Sequence, residues 1–188
     1  MRLSRIYPLT LLNQTFESYI TEHLFAPLDM TSSTYSVAEA EERGSLAHCF
    51  HWDMQDYLFG LNGTRTATVP YFQRLGEEKI WAGPAGILSS ARDLSIWLAM
   101  LLNKGCHPTT NETLVPEDII DHVALGVSTL RGKASYPELS PIVYAAGQHR
   151  FSYRGHEILE HGGHNPGFKS QISRFPNDNL GVLNCPLK

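Results

Sequence analysis

The clearest pattern of hydrophobic and polar positions lies near the end of the 188-residue chain. Short segments rich in β-branched and aromatic residues alternate there with Gly, Asn, Asp and Pro, which is typical of an antiparallel sheet. The four predicted strands span residues 143–150, 157–161, 168–175 and 180–184. The predicted turns between them are Arg154-Gly155, Asn165-Pro166-Gly167 and Pro176-Asn177-Asp178-Asn179.

Helical spacing of apolar residues predicts three helices earlier in the chain. The first begins after Thr15, whose side chain can cap it, and Pro27 ends it. The second begins after Ser90 and ends near Gly105, a residue suited to a helix C-terminus. The third covers residues 115–127, and a loop is predicted over residues 131–141. Helices therefore precede the predicted sheet.

The composition describes a globular chain, with 42% hydrophobic and 18% charged residues. The formal net charge is −4 without any basic run, so the chain has no electrostatic signature of nucleic-acid or membrane binding. No apolar run is long enough to span a bilayer, and no signal peptide or cofactor motif is visible. We therefore expect no nucleic acid, membrane or cofactor partner, while the oligomeric state stays open.

The cysteines and glycosylation sequons leave the compartment open. Cys49, Cys106 and Cys185 are odd in number and widely spaced, so a disulfide framework is not expected and one thiol must stay unpaired within the chain. Three sequons begin at Asn13, Asn62 and Asn111, which hints mildly at a secreted parent protein.

The segment with the most chemical content is Glu160-His161-Gly162-Gly163-His164-Asn165. Paired glycines are costly inside a strand and are usually kept where another group must approach the backbone closely. They are also compatible with a simple β-bulge. His161 and His164, together with His149 and His156 nearby, also raise the alternative of a metal site, although a His-x-x-His pair alone lacks the further ligands that zinc requires.

The order of motifs in this part of the chain resembles the serine β-lactamase-related family, which includes class C β-lactamases, penicillin-binding D,D-peptidases, esterases and D-aminopeptidases. The matching motifs are Tyr144-x-x-Gly147, Arg154-Gly155-His156, His161-Gly162-Gly163, Gly167-Phe168, Phe175-Pro176 and Asn184. The resemblance implies an α/β (α+β) fold of the β-lactamase/transpeptidase type, with an antiparallel sheet flanked by helices, here incomplete. It also implies a small-molecule amide, ester or lactam as substrate.

Three site residues follow from this resemblance. His161-Gly162-Gly163 matches the His-x-Gly variant of the family's third active-site motif, which lies on the strand beside the active site. His161 is then an electrostatic or hydrogen-bonding group near the acyl carbonyl. Gly163 keeps the strand backbone open to substrate, and the backbone N–H of His164 helps to hold the oxyanion.

Two earlier segments also resemble the family. Pro27-Leu28-Asp29-Met30-Thr31 is similar to a family turn in which Asp29 replaces the usual glycine, and Asp tolerates a left-handed backbone better than most residues. Residues 85–94 are similar to the segment that precedes a family helix. Ser89 and Ser90 within it are not expected to be nucleophiles, because no adjacent base or Gly-x-Ser-x-Gly elbow accompanies them.

The region between these two segments, residues 39–79, is the hardest to interpret. Its acidic residues 39–42 are expected to form a solvated face. Its aromatic residues either pack in an ordinary core or, as the resemblance implies, help to wall the substrate cleft. These aromatic residues are Phe50, Trp52, Tyr57, Phe59, Tyr71 and Phe72.

The family's nucleophile motifs are absent from the sequence. No serine is followed three residues later by lysine, and no tyrosine or serine is followed two residues later by asparagine. The family chemistry needs both, since the lysine must lie one helical turn from the serine to accept its proton. We therefore expect residues 1–188 to be a single partial domain without the nucleophile region, and catalytically incompetent. The alternative is a non-catalytic protein of this fold that binds a ligand or partner.

Overall fold

The computed structural model describes residues 6–44, 46–48, 50–52, 65–67, 83, 85–165 and 167–185. Its helices are α1 (Ile6–Leu12), α2 (Phe16–Ile20), α3 (Val37–Glu42), α4 (Ala91–Leu102) and α5 (Glu117–Ala124), with a π-helical turn at Thr21–Phe25 and a 3-10 turn at Pro176–Asp178. Its strands are β1 (Phe50–Trp52), β2 (Arg65–Ala67), β3 (Ser128–Arg131), β4 (Ile142–Tyr144), β5 (His149–Tyr153), β6 (His156–Asn165), β7 (Phe168–Phe175) and β8 (Leu180–Asn184).

The chain forms two compact units, and the first contains α1 to α3. It comprises Met1–Asp93, Gly163–Ser170 and Cys185–Lys188. Its core includes Leu28, which is fully buried, and the stacked rings of Phe25 and Tyr35. Reciprocal backbone hydrogen bonds of 2.8 and 2.9 Å between Thr34 and Leu88 connect distant parts of the sequence within this unit.

The second unit comprises Leu94–Gly162 and Gln171–Asn184 and contains most of a six-stranded antiparallel sheet. The strands lie in the order β3-β4-β5-β6-β7-β8, so each strand neighbours the next one in sequence. Helix α4 packs closely on β8, since a Cβ atom at Gly181 would lie 2.7 Å from Leu98. The predicted fold class, an antiparallel sheet with flanking helices in a partial β-lactamase/transpeptidase-like fold, is confirmed.

The predicted strands 168–175 and 180–184 match β7 and β8. The predicted strand 157–161 is the first half of β6, which continues through both glycines to Asn165. The predicted strand 143–150 is wrong. The chain turns after Tyr144, where Gly147 has a φ of 76° and Ala145 donates a backbone hydrogen bond to Gln148, and β5 begins only at His149.

The predicted turns contain left-handed residues, with φ of 50° at Arg154 and at Asn179. Gly167 also lies in a turn with a φ of 79°, whereas Pro166 lies outside the described residues. Asp29 has a φ of 53°, as expected for the residue in the glycine position of its turn.

All three predicted helices occur at the expected positions in the chain, but their lengths differ from the prediction. Thr15 caps α2 by accepting a hydrogen bond from the Ser18 N–H at 3.1 Å, and the helical segment ends before Pro27. Ser90 caps α4 in the same way. The third predicted helix is shorter than residues 115–127, because Pro116 is its N-cap and the Val127 N–H already pairs with the Tyr144 carbonyl of β4.

The acidic segment 39–42 belongs to α3, which the sequence analysis did not predict. Ser36 caps this helix, and Val37 and Ala40 are buried beneath it. Glu39 interacts with both Thr34 and Arg43, so its carboxylate also has structural partners. Of the aromatic residues that follow, Phe50 and Trp52 lie in β1, and Tyr57, Phe59, Tyr71 and Phe72 lie outside the described residues.

Candidate active-site strand

Strand β6 changes from buried to exposed along its length. Ile158 is 8% exposed and Leu159 is 4% exposed. From His161 to His164 every residue is exposed, although β6 lies between β5 and β7 in the sheet. The end of the strand that carries the His-x-Gly motif is therefore accessible to other molecules, whereas its beginning belongs to the core of the second unit.

His161 lies in a small aromatic cluster with Tyr144 of β4 and His149 of β5. A hydrogen bond of 3.2 Å joins the Tyr144 hydroxyl to His161 Nε2. The imidazoles of His149 and His161 are stacked, with ring centroids 5.5 Å apart and an interplanar angle of 20°. Antiparallel pairing of β4 with β5 and of β5 with β6 brings these three residues together.

The space beside Gly163, where a side chain would lie, is occupied by the side chain of Ser170. A Cβ atom at this position would lie 2.4 Å from Ser170 Oγ. Because a serine side chain can rotate, a small residue at Gly163 would require Ser170 to move, and a β-branched residue would crowd this part of the strand further. Alternation along β6 places His164 on the opposite side of the strand from Gly163.

Ser89 and Ser90, which are not expected to be nucleophiles, take part in hydrogen bonds that stabilise the fold. Ser90 Oγ accepts a hydrogen bond from the Asp93 N–H at 3.2 Å and so caps α4. Ser89 Oγ and Ser33 Oγ are 2.8 Å apart, and Ser33 Oγ donates to Asp93 Oδ2. No lysine or histidine takes part in these hydrogen bonds, so this partly buried cluster has the composition of a structural network.

Within the described ranges, no three His, Cys, Asp or Glu side chains are arranged to hold a metal ion. Cys106 and Cys185 are free thiols, whereas Cys49 lies outside those ranges. Among the helices of the described part of the chain, none has the length and hydropathy to cross a membrane.

The cluster around His161 contains two groups that were not predicted to belong to the acyl-transfer site. Tyr144 occurs in a matching family motif, and His149 was considered only as a neighbour of His161 and His164 in the alternative of a metal site. Their positions relative to His161 depend on the register of three strands, including the turn after Tyr144 that was not predicted. The sequence signal for this cluster was therefore present but could not be interpreted without the strand pairing.

Comparisons with known proteins agree with this architecture. The sequence profile of the Beta-lactamase family matches residues 9–183. A curated relative from Aspergillus violaceofuscus, named Unguisins hydrolase ungD, is 30% identical over 108 residues, which cover 54% of this chain and 19% of the relative. The chain thus spans about a fifth of the length of this curated relative.

Solved structures show the same fold at low sequence identity. The octameric penicillin-binding protein homologue from Pyrococcus abyssi superposes with a TM-score of 0.73 at 20% identity, covering 96% of this chain and 35% of that chain. The D-amino acid amidase from Ochrobactrum anthropi SV3, complexed with D-phenylalanine, superposes with a TM-score of 0.65 at 14% identity, covering 97% and 48%. Because the family profile covers nearly the whole sequence, the chain belongs to the beta-lactamase family.

Proposed function

We propose that strand β6 forms the substrate-facing edge of a serine acyl-transfer site that acts on an amide, ester or lactam carbonyl. His161, Gly163 and His164 are its contributing residues. The observation that carries the proposal is the change of β6 from buried to exposed at His161, because a substrate of an acyl-transfer site must reach this part of the strand from solvent.

Each residue has a defined role in this proposal. When His161 is neutral with its proton on Nδ1, the Tyr144 hydroxyl donates to Nε2, and Nδ1–H becomes the donor available to a substrate carbonyl. Gly163 has no side chain to block the approach of substrate to the backbone. The His164 N–H acts as an oxyanion donor, a contribution that is effective only when the donor is held in place before the reaction.

The sequence lacks the nucleophile and the base that serine acyl transfer requires. None of its serines has a lysine at the third following position, so the nucleophile and its base must come from residues outside this sequence. We infer that residues 1–188 form a single partial domain that is catalytically incompetent by itself. A non-catalytic ligand-binding role is the second candidate function, and a cavity of about 490 Å³ in the second unit favours it.

The first experiment tests the chain alone. The purified 188-residue protein is incubated with a fluorescent penicillin and with a chromogenic ester, and its intact mass is measured. We expect no covalent adduct and no burst of product, because the activated nucleophile is absent. A stoichiometric adduct on any serine would contradict the proposal and require a different nucleophile.

The second experiment tests β6 in a longer form of the protein. Transcripts are sequenced for a chain that adds Ser-x-x-Lys and Tyr-x-Asn to these residues, and its ester hydrolysis is measured. His161→Ala should lower the rate by about 10- to 1000-fold, the scale of one lost electrostatic or proton-transfer contact. Gly163→Val should abolish turnover. Because a side chain at this position also meets Ser170 Oγ, the result counts only if the circular-dichroism spectrum and melting temperature of the variant match those of the original protein.

His156 provides the matched control for His161. It lies at the opposite end of β6 and pairs with Asp178 at 2.9 Å. His156→Ala should therefore leave the rate unchanged. Rates like those of the unsubstituted enzyme in both His161→Ala and Gly163→Val would show that this part of β6 is only structural.

A further inference from the structure

A cavity in the second unit has no role in the proposed acyl transfer. Its volume is about 490 Å³, within the range of small-molecule sites. It lies among α5, the end of α4 and the side chains of β5, β6 and β7 that face these helices. Six of its lining residues are charged, three positively and three negatively: Lys104, Arg150, Arg174, Glu117, Asp121 and Glu157.

Four of the six charges already form pairs with each other. Lys104 Nζ lies 2.7 Å from a carboxylate oxygen of Glu117. Arg150 lies 2.5 Å from Glu157 and also donates a hydrogen bond to the backbone carbonyl of Ala124. These pairs leave Arg174 and Asp121 as the two charges of the cavity wall without an ion-pair partner in the described part of the chain.

Arg174 is buried but only partly satisfied. It is 4% exposed, and its Nη2 donates to Gln148 Oε1 at 3.1 Å. Its Nε has no hydrogen-bond partner among the described residues. Burial lowers the pKa of Arg174, while the charges of Asp121 and Glu157 act in the opposite direction. A guanidinium in this position favours an anionic ligand with planar oxygen acceptors, because unpartnered buried donors are costly.

Asp121 provides the opposite charge at the rim of the same cavity. It lies on α5, is exposed, and is close enough to influence the pKa of Arg174. A ligand that carried only negative charge would approach Arg174 against Asp121 and Glu157. A carboxylate combined with an ammonium matches both ends, since each charge of the ligand then faces a protein charge of opposite sign.

The remaining wall is largely apolar. Leu101, Leu102 and Ile120 come from the two helices, and Leu159 comes from β6. We propose that this cavity binds a free amino acid with an apolar side chain, whose carboxylate pairs with Arg174 and whose ammonium pairs with Asp121. This site is separate from the proposed acyl-transfer role of β6 and does not depend on it.

Calorimetric titration of the full 188-residue chain tests the proposal. The ligands are L-leucine, D-leucine, 4-methylpentanoate, 3-methylbutylamine and inorganic phosphate. We expect saturable one-to-one binding of at least one leucine enantiomer. The carboxylate without the amine, and the amine without the carboxylate, should each bind about 10-fold more weakly or worse, as expected for one lost charge-assisted contact.

Substitutions locate the ligand. Arg174→Met should remove binding of leucine and of 4-methylpentanoate. Asp121→Asn should weaken leucine about 10-fold, whereas 4-methylpentanoate should bind at least as tightly as to the original protein, because the variant lacks a carboxylate that repels it. Asp118→Asn, an exposed acid on the same helix that does not line the cavity, is the matched control. Because Asp121 is exposed, its variant is expected to fold even if Arg174→Met does not.

Three results would overturn the proposal. The first is the absence of saturable leucine binding at millimolar concentrations. The second is phosphate binding as tight as leucine binding, which would indicate a general anion site. The third is leucine binding that is the same in Asp121→Asn as in the original protein. None of these results affects the acyl-transfer proposal, which is tested by adduct formation and by substitutions in β6.

Discussion

Asp93 in the first unit and Arg174 in the second are both buried charged residues, but their surroundings differ. Asp93 is fully buried, and its Oδ2 accepts hydrogen bonds from the Ser32 N–H and the Ser33 hydroxyl, each at 2.8 Å. Arg174 has one side-chain partner, Gln148, and lines a cavity. Each residue also leaves one polar atom without a partner in the described ranges, Oδ1 and Nε respectively.

The difference separates a structural charge from one that is available to a ligand. The donors of Asp93 come from a tight turn after Met30, so the carboxylate connects that turn to the start of α4. Its removal would leave the Ser32 N–H and the hydroxyl of the buried Ser33 without this acceptor. The guanidinium of Arg174 instead opens on space that a ligand can enter. Burial of a charge is therefore a poor guide to its role unless its partners are known.

The largest expected change in stability comes from removing the carboxylate of Asp93. Asp93→Ala should lower the free energy of unfolding by about 3 kcal/mol, because the Ser32 N–H and the Ser33 hydroxyl would lose their acceptor inside the protein. Urea unfolding measures the change. Asp118→Ala, at an exposed position of α5, is the control and should change stability by no more than about 0.5 kcal/mol. If Asp93→Ala lost no more stability than the small change expected for Asp118→Ala, the hydrogen bonds of Asp93 would not stabilise the fold.

A smaller effect concerns Tyr35, a buried group that is uncharged at neutral pH. Burial and the nearby charge of Glu17 raise the pKa of its phenol. The unfolded chain releases this proton near pH 10, whereas the folded protein retains it. Stability is therefore unaffected below about pH 10 and falls above it, by about 1.4 kcal/mol at pH 11.

Tyr35→Phe should abolish this part of the loss, because the variant has no phenol to ionise. The measurement is urea unfolding of both proteins at pH 8 and at pH 11. Tyr136→Phe, at an exposed tyrosine, is the control and should retain the loss. If the original protein and Tyr35→Phe lost the same stability between the two pH values, the phenol of Tyr35 would not be protected by folding.

The smallest expected effect concerns the guanidinium itself. Arg174→Met should change the free energy of unfolding by no more than about 1 kcal/mol, because a hydrophobic residue of similar size removes the cost of burying the charge. Thermal and urea unfolding measure the change. A loss as large as that of Asp93→Ala would remove the distinction between the two residues and assign Arg174 a structural role.

Much of the local structure could be predicted from the sequence. The ends of β7 and β8, the caps of α2 and α4 at Thr15 and Ser90, and the left-handed turn residue Asp29 all depend on neighbours within a few positions. The errors arose where two local signals competed. Residues 143–150 contain enough strand-forming residues to suggest one strand, yet Gly147 allows the turn that divides them. The acidic residues of α3 suggested a solvated segment, so the buried side of the helix at Val37 and Ala40 was not predicted.

The sequence by itself determined the family motifs, the absence of a Ser-x-x-Lys pair and the positions of β7, β8 and the first half of β6, because these are properties of short segments. Only the tertiary structure decided which polar groups meet. Asp93 binds residues about 60 positions away, and His161 joins Tyr144 across three strands. Arg174 and Asp121 border one cavity although they lie 53 positions apart in the sequence. Such contacts depend on strand register and on helix packing, which no local pattern of residues specifies.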